Sequence, residues 1–334
     1  MSDEVKIAGP YSVCIIYDPL TNKQIYLFGE YHYKYNHNPE MINFSQYLDD
    51  IFKNNPNKTF DFLLESSYYR DKHVSKPDNS SLIFSAMKHF SPYFYNIMSN
   101  SNKNQWNNVR FHSIDIRNYM HDQKLSKDET CEYTILTSLF QDIYRGGITK
   151  LKMVHLNLIK KYIFDTANNK LYDINILLEN RWKIIEHHPK FKRNMKNVYE
   201  KLKEYYQDEL VSFLNETYKN KKRSEMINDV FKELMRKGHI IDNGLNMQII
   251  WAFFTKYSVF FMDIYLIGRM YKTFTPKKET DIQNITADNV IVLAGCKHIE
   301  HLKRYFEKTN CQIVYEDRNC KDKFITLPTD MFST

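Results

Sequence analysis

Apolar and polar positions alternate, or fall in short apolar runs, near both ends of the chain. YSVCIIY (Tyr11–Tyr17) and QIYLF (Gln24–Phe28) read as two strands, and the turn-like DPLTNK between them makes the pair a hairpin. FDFLL (Phe60–Leu64) and VRFHSI (Val109–Ile114) are further runs of strand type, and Ser81–Met98 between them has helical spacing. From about residue 128 to residue 270 apolar positions recur every three or four residues, which predicts helices. Strand character returns in VIVLA (Val290–Ala294), a helix is expected over His298–Lys308, and QIVY (Gln312–Tyr315) is a last strand. The pattern predicts an α/β fold, a mixed sheet built from both chain ends with helices packed on it and a large helical insertion. The core is expected at 1–120 and 285–334 and the insertion at 121–284, together one composite domain.

Bulk properties narrow this picture. The longest apolar stretch, Ile249–Ile267, is interrupted by Lys256 and Asp263, so a buried helix is expected there and no membrane span. The first ten residues have no apolar core, so no secretory signal is expected and an intracellular, cytoplasmic location fits. The 5 cysteines are widely spaced without a CxxC pair, which argues against a zinc ribbon or a disulfide scaffold. With 25 Tyr and 22 Phe the chain has ample surface to bury, and disorder is excluded. The formal charge of +7 is uneven: Arg145–Arg223 holds 18 Lys+Arg against 9 Asp+Glu, and the remainder is close to neutral. That segment suits an anionic partner or nucleic acid, although the solvated face of long helices is the plainer reading.

Chemistry enters with a repeated motif. Gly29-Glu30-Tyr31-His32 follows IYLF, and Gly295-Cys296-Lys297-His298 follows VIVLA. With 8 Gly and 12 His, chance gives about 0.3 such GxxH matches. Each histidine lies just past the end of an apolar strand, where open α/β sheets bind ligands. A glycine there lets the backbone turn and lets a ligand approach. The other strands also end in polar residues: FDFLL is followed by Glu65, with Arg70 five residues on, and VRFHSI by Asp115 and then Arg117. A carboxylate directly after an apolar strand is costly unless it is paired, ligated, solvated or used as a helix cap. Four strand ends thus deliver His32, Glu65, Asp115 and His298 toward one edge. Arg269, on the apolar helix, needs a carboxylate or an anionic ligand if buried. His112 reads as a satisfied core histidine, His301 as surface.

Taken together, GEYH (29–32), LLES (63–66), MDIYLIGRMY (262–271) and LAGCKH (293–298) resemble the TraB/TIKI superfamily, which includes erythromycin esterase-like and ChaN-like proteins. The likeness is at the level of motifs and covers the two ends of the chain. It implies an α/β core with His32, Glu65 and His298 central to one cleft and Arg269 in the place of the family's helix arginine. The activities of the group range over metal-dependent peptide cleavage, metal-independent ester hydrolysis and haem binding, so the fold does not settle the reaction.

The leading expectation is a hydrolase. His32 acts as general base, oriented by Glu30 or Glu65, and Arg269, Arg70 or Arg117 stabilises the developing oxyanion. In a metal version, His32, Glu65 and His298 ligate a divalent transition metal (manganese, cobalt or zinc). Haem is not expected. The alternative is a binding or structural protein on the same fold, with the basic insertion making the contact.

Overall fold

The computed structural model describes residues 4–31, 40–67, 81–90 (without 84 and 87), 106–115, 152–179 (without 174 and 178), 196–237, 244–274, 276, 282–318, 324–329 and 331–332. At 67, 115, 196–201, 244–247, 254–255 and 257–261 only the backbone is described. The chain divides into two compact units, 1–116 with 265–334, and 117–264.

The first unit opens with β1 (Glu4–Ala8), the hairpin β2 (Ser12–Asp18) and β3 (Lys23–Glu30), the short β4 (Ile42–Asn43) and helix α1 (Phe44–Asn54). Asn43 caps α1 by accepting from Ser45 N at 2.9 Å, satisfying one of the free amides of the first turn. β5 (Phe60–Ser67) follows, then a helical segment at 82–90 and β6 (Val109–Asp115). The hairpin turn is held by Asp18, which accepts from Leu20 N at 3.0 Å and Thr21 Oγ1 at 2.6 Å.

The second unit contains α2 (Met153–Tyr162), the two-residue strands β7 (Phe164–Asp165) and β8 (Lys170–Leu171), and α3 (Lys196–Asn215). The hairpin of β9 (Thr217–Tyr218) and β10 (Lys221–Lys222), helix α4 (Arg223–Lys237) and most of α5 (Gly244–Met270) complete it. Its core is built from Leu202, Tyr206, Leu210, Phe231 and Ile250, and Tyr206 donates to the fully buried Asp263 at 2.7 Å. Several of its basic residues are already paired: Arg223 with Glu216 at 2.7 Å, and Lys221 with Asp229. Such pairing is what a solvated helical face looks like.

The chain then returns to the first unit with the end of α5, β11 (Asn289–Gly295), α6 (Cys296–Lys308), β12 (Gln312–Arg318) and β13 (Phe324–Pro328). The unit boundary falls within α5, before the expected 284, because the last turn of that helix engages the sheet through Arg269. Among the described residues no helix is long and apolar enough to cross a membrane.

The main sheet has the order β12-β2-β3-β11-β5-β6. β3, β11, β5 and β6 run parallel, while β2 is antiparallel to both β3 and β12. β11 is central and every one of its residues is buried, as expected of a strand covered on both faces. A second sheet, β13-β1-β4, flanks the first.

The pleat sorts the side chains onto two faces. Tyr26, Phe28, Phe60, Phe62, Leu64, Phe111 and Leu293 point to one, where they pack with Phe44, Leu48 and Phe52 of α1 and Leu82, Ala86 and Phe90 of the 82–90 segment. Aromatic edges meet faces throughout this layer, for instance Phe62 with Phe90 at 5.4 Å and Phe52 with Trp106 at 5.9 Å. The alternate residues, among them Leu27, Gly29, Asp61, Leu63, Glu65, Arg110 and His112, belong to the other face, which α6 and the end of α5 cover.

This arrangement has a switch point between β11 and β5. From β5 the chain moves outward to β6; from β11 it crosses back through α6 to β12 at the opposite edge. The helices that follow these two strands pack on opposite faces. Neighbouring strands whose connections diverge in this way leave a crevice at their carboxyl ends.

Gly29 is needed where α6 starts. A Cβ there would lie 2.4 Å from Ser12 Oγ and 3.0 Å from Cys296 Sγ. Gly295, in contrast, turns at φ −57° and ψ 142°, which any residue can adopt. We predict that Gly29→Ala lowers unfolding stability by about 1–3 kcal/mol through overpacking. Ser12→Ala in the same chain should restore part of it, as read by urea or thermal denaturation. Equal stability of wild type and Gly29→Ala would refute the close approach.

Candidate functional site

Two of the three expected central residues come together at the switch point. Glu65 leaves β5 on the face covered by α6, 8% exposed, and its Oε2 accepts from the backbone N–H of Gly295 at 2.6 Å. Gly295 is the N-cap of α6, so His298 is the third residue of that helix, 6% exposed. Its Nε2 lies 3.7 Å from Glu65 Oε1. A helix N-terminus carries partial positive charge, and a carboxylate placed there recovers part of its lost hydration. The second GxxH motif is therefore a strand-to-helix junction in which the glycine caps, the histidine occupies the first turn and the neighbouring strand supplies the anion.

Glu30 is not part of this group. It ends β3 opposite Gly295 in register, yet the pleat turns it to the face of Tyr26 and Phe28. There its Oε2 accepts from the backbone N–H groups of Leu82 and Ile83 at 3.0 and 3.4 Å, capping the 82–90 helix. The two strand-end glutamates thus serve helix starts on opposite faces of the sheet. Tyr31, the next residue, packs edge-on against Tyr11 at 5.0 Å. His32, Arg70 and Arg117 lie outside the described residues. Asp115 ends β6 in register with Ser67, and its side chain is likewise not described.

Arg269 reaches the same face as Glu65 but one strand over. Its Nη2 donates to His112 Nδ1 at 2.7 Å. His112 Nε2 faces Asp61 Oδ1 at 3.0 Å, and Asp61 also receives two bonds from Arg110, at 2.6 and 3.2 Å. Because arginine only donates, Nδ1 must carry the lone pair and Nε2 the proton, so the ring is neutral. Phe274 covers the group: its ring stacks on His112 at 5.2 Å and faces the Arg110 and Arg269 guanidinium groups at 4.6 and 4.8 Å. Burial, followed by the charge of Arg269, pushes the His112 imidazole down to about 4. Burial alone would raise the Asp61 carboxyl, but the bonds from His112 and Arg110 outweigh it and hold the group below the usual carboxylate range.

The sequence reading of His112 as a satisfied core residue describes its hydrogen bonds but misses its partners. The available signal was the charged interruption of two apolar strands. Asp61 in FDFLL and Arg110 and His112 in VRFHSI fall on one face once the strands pair with Asp61 opposite Arg110.

This network has a pH signature. His112 binds a proton near pH 6.5 in the unfolded chain and near pH 4 in the folded one, so unfolded molecules hold the extra proton between those values. Stability should therefore rise with pH from 4 to 6.5 and be lost as pH falls through that window, by up to about 3 kcal/mol. His112→Asn should flatten this part of the pH–stability curve measured by denaturant titration; an unchanged slope would contradict the buried neutral ring. No family model, curated protein or solved structure matches this chain, so its function is argued from these residues and their geometry.

Proposed function

We propose that the carboxyl edge of β3, β11 and β5 is the active site of a hydrolase acting on an ester or peptide bond. The observation that carries this reading is the Glu65–His298 pair at the switch point, two buried ionisable groups 3.7 Å apart where an α/β sheet offers a crevice. Hydrogen bonding and burial at such a place are how catalytic groups are held and tuned.

The spacing also suits a metal. It exceeds a hydrogen bond, and two ligands each about 2.1 Å from one ion, in tetrahedral or trigonal directions, sit about 3.4–3.6 Å apart. His298 and Glu65 would hold the ion, with His32, two residues after β3 in the sequence, as the third ligand. Manganese, cobalt or zinc in that place would supply a water ionised near neutral pH. Among the described residues no group of three such ligands is complete.

The chain's own groups have distinct tasks in this scheme. The Gly295 amide fixes one oxygen of Glu65, which leaves the other directed at His298. Without a metal, His32 is the general base and Glu65 the residue that orients it, since Glu30 is engaged as a helix cap. Arg269, on the Glu65 face, favours negative charge as it develops on the substrate.

Hydrolysis of a panel of aryl esters and fluorogenic peptides by protein purified without chelator tests the proposal. Wild type should turn over one class, and Glu65→Gln and His298→Ala should each lower kcat/KM by about 100-fold or more while the fold is kept. Metal content and the effect of EDTA then separate the two versions. Turnover unchanged in both variants would exclude this edge as the active site.

A further inference from the structure

The Arg269 network carries an imbalance that its internal contacts do not resolve. Asp61 is neutralised by Arg110, which takes both its oxygens. His112 is neutral, by the donor logic of its two bonds. Arg269 adds a full positive charge whose one hydrogen-bond partner among the described residues is that neutral ring. Its Nε is buried and has no acceptor among the described residues. Four other described arginines are treated differently: Arg110 holds Asp61, Arg223 holds Glu216, Arg236 holds Glu233 and Arg318 holds Glu300.

The surroundings also fix the guanidinium. Phe274 lies 4.8 Å from it and Tyr265 6.0 Å, so the plane is supported by aromatic faces. The chain Asp61–His112–Arg269 sets its direction: Asp61 accepts the hydrogen bond from Nε2–H, and this presents the Nδ1 lone pair to Nη2. A planar guanidinium held in this way, with donors left over, is suited to bidentate recognition of a carboxylate or phosphate. The position agrees. His112 pairs in register with Leu63, two residues before Glu65 on the same face.

We propose that Arg269, aimed by His112 and Asp61, binds an anionic group of the substrate, a carboxylate or phosphate, beside the Glu65–His298 pair. This rests on the hydrolase reading for the word substrate; the anion site itself can be measured without turnover. His112 and Asp61 are positioning residues, and Arg269 is the contact.

Inorganic phosphate and acetate, titrated into the full chain and followed by thermal unfolding and calorimetry, are the probes. At least one should raise the wild-type Tm by several degrees in a saturable way. Arg269→Gln should abolish that shift, and Arg269→Lys, which keeps the charge without the planar fork, should weaken it about tenfold or more in Kd. Arg236→Gln is the surface control and should leave it unchanged. His112→Asn, which keeps an acceptor near the Nδ1 position, should retain more binding than His112→Gln, which keeps only the group facing Asp61; a merely structural role would make binding follow stability in both. Absence of a saturable response in wild type, or an equal response in Arg269→Gln, overturns the proposal. An active hydrolase that binds neither anion would overturn this inference alone, and anion binding by a chain without turnover would leave it standing.

Discussion

A buried carboxylate at the start of a helix is the constraint on which the rest depends. Glu65 emerges from a parallel strand into a covered layer, where an unpaired charge costs several kcal/mol. The Gly295 amide and the N-terminal turn of α6 offset that cost only if β11 lies beside β5 and delivers α6 to the correct face. The register of the two strands, the crossing of α6 and the placement of His298 follow from it. Gly29 belongs to the same constraint, since α6 can start this close to β3 only where the neighbouring strand has no Cβ. Glu30 repeats the device on the aromatic face, where it fixes the 82–90 helix above Phe62 and Phe111. One sheet edge thus carries two glutamate caps, and the pleat decides which of them shares a layer with His298.

The neighbouring network obeys a different logic. Asp61, Arg110, His112 and Arg269 interrupt apolar strands and an apolar helix, and burial forces them to satisfy one another. They do so completely except at Arg269. A neutral imidazole is a weak answer to a guanidinium, and the Phe274 ring stabilises the cation without cancelling its charge. The ion pairs of Arg110, Arg223, Arg236 and Arg318 all use carboxylates, and the Arg269 contact differs from them in this respect.

Much of the sheet was legible in the sequence because its signal is local. The runs at 24–28, 60–64, 109–114, 290–294 and 312–315 lie within strands of the structure, the run at 11–17 does so from Ser12 on, and the hairpin turn announces itself through Asp18 and Pro19. The flanking sheet was not anticipated: β1 and β13 are short, carry polar positions, and owe their strand state to each other across the length of the chain. Helix α1 was overlooked although Phe44, Tyr47, Leu48, Ile51 and Phe52 follow Asn43 at helical spacing. At the site, proximity of Glu65 and His298 followed from strand ends meeting at one edge. The role of Glu30 did not, because its partner amides lie 52 and 53 residues away and only the pleat tells which face it takes. The Arg269–His112 contact spans 157 residues, beyond any spacing rule.

Glu65 of β5 and His298 of α6 meet as one unit at the junction of β11 with α6. A double-mutant cycle on unfolding free energy with Glu65→Gln and His298→Gln measures this directly. The coupling expected is clearly above the ~0.5 kcal/mol within which independent sites add. Strict additivity of the two substitutions would contradict it.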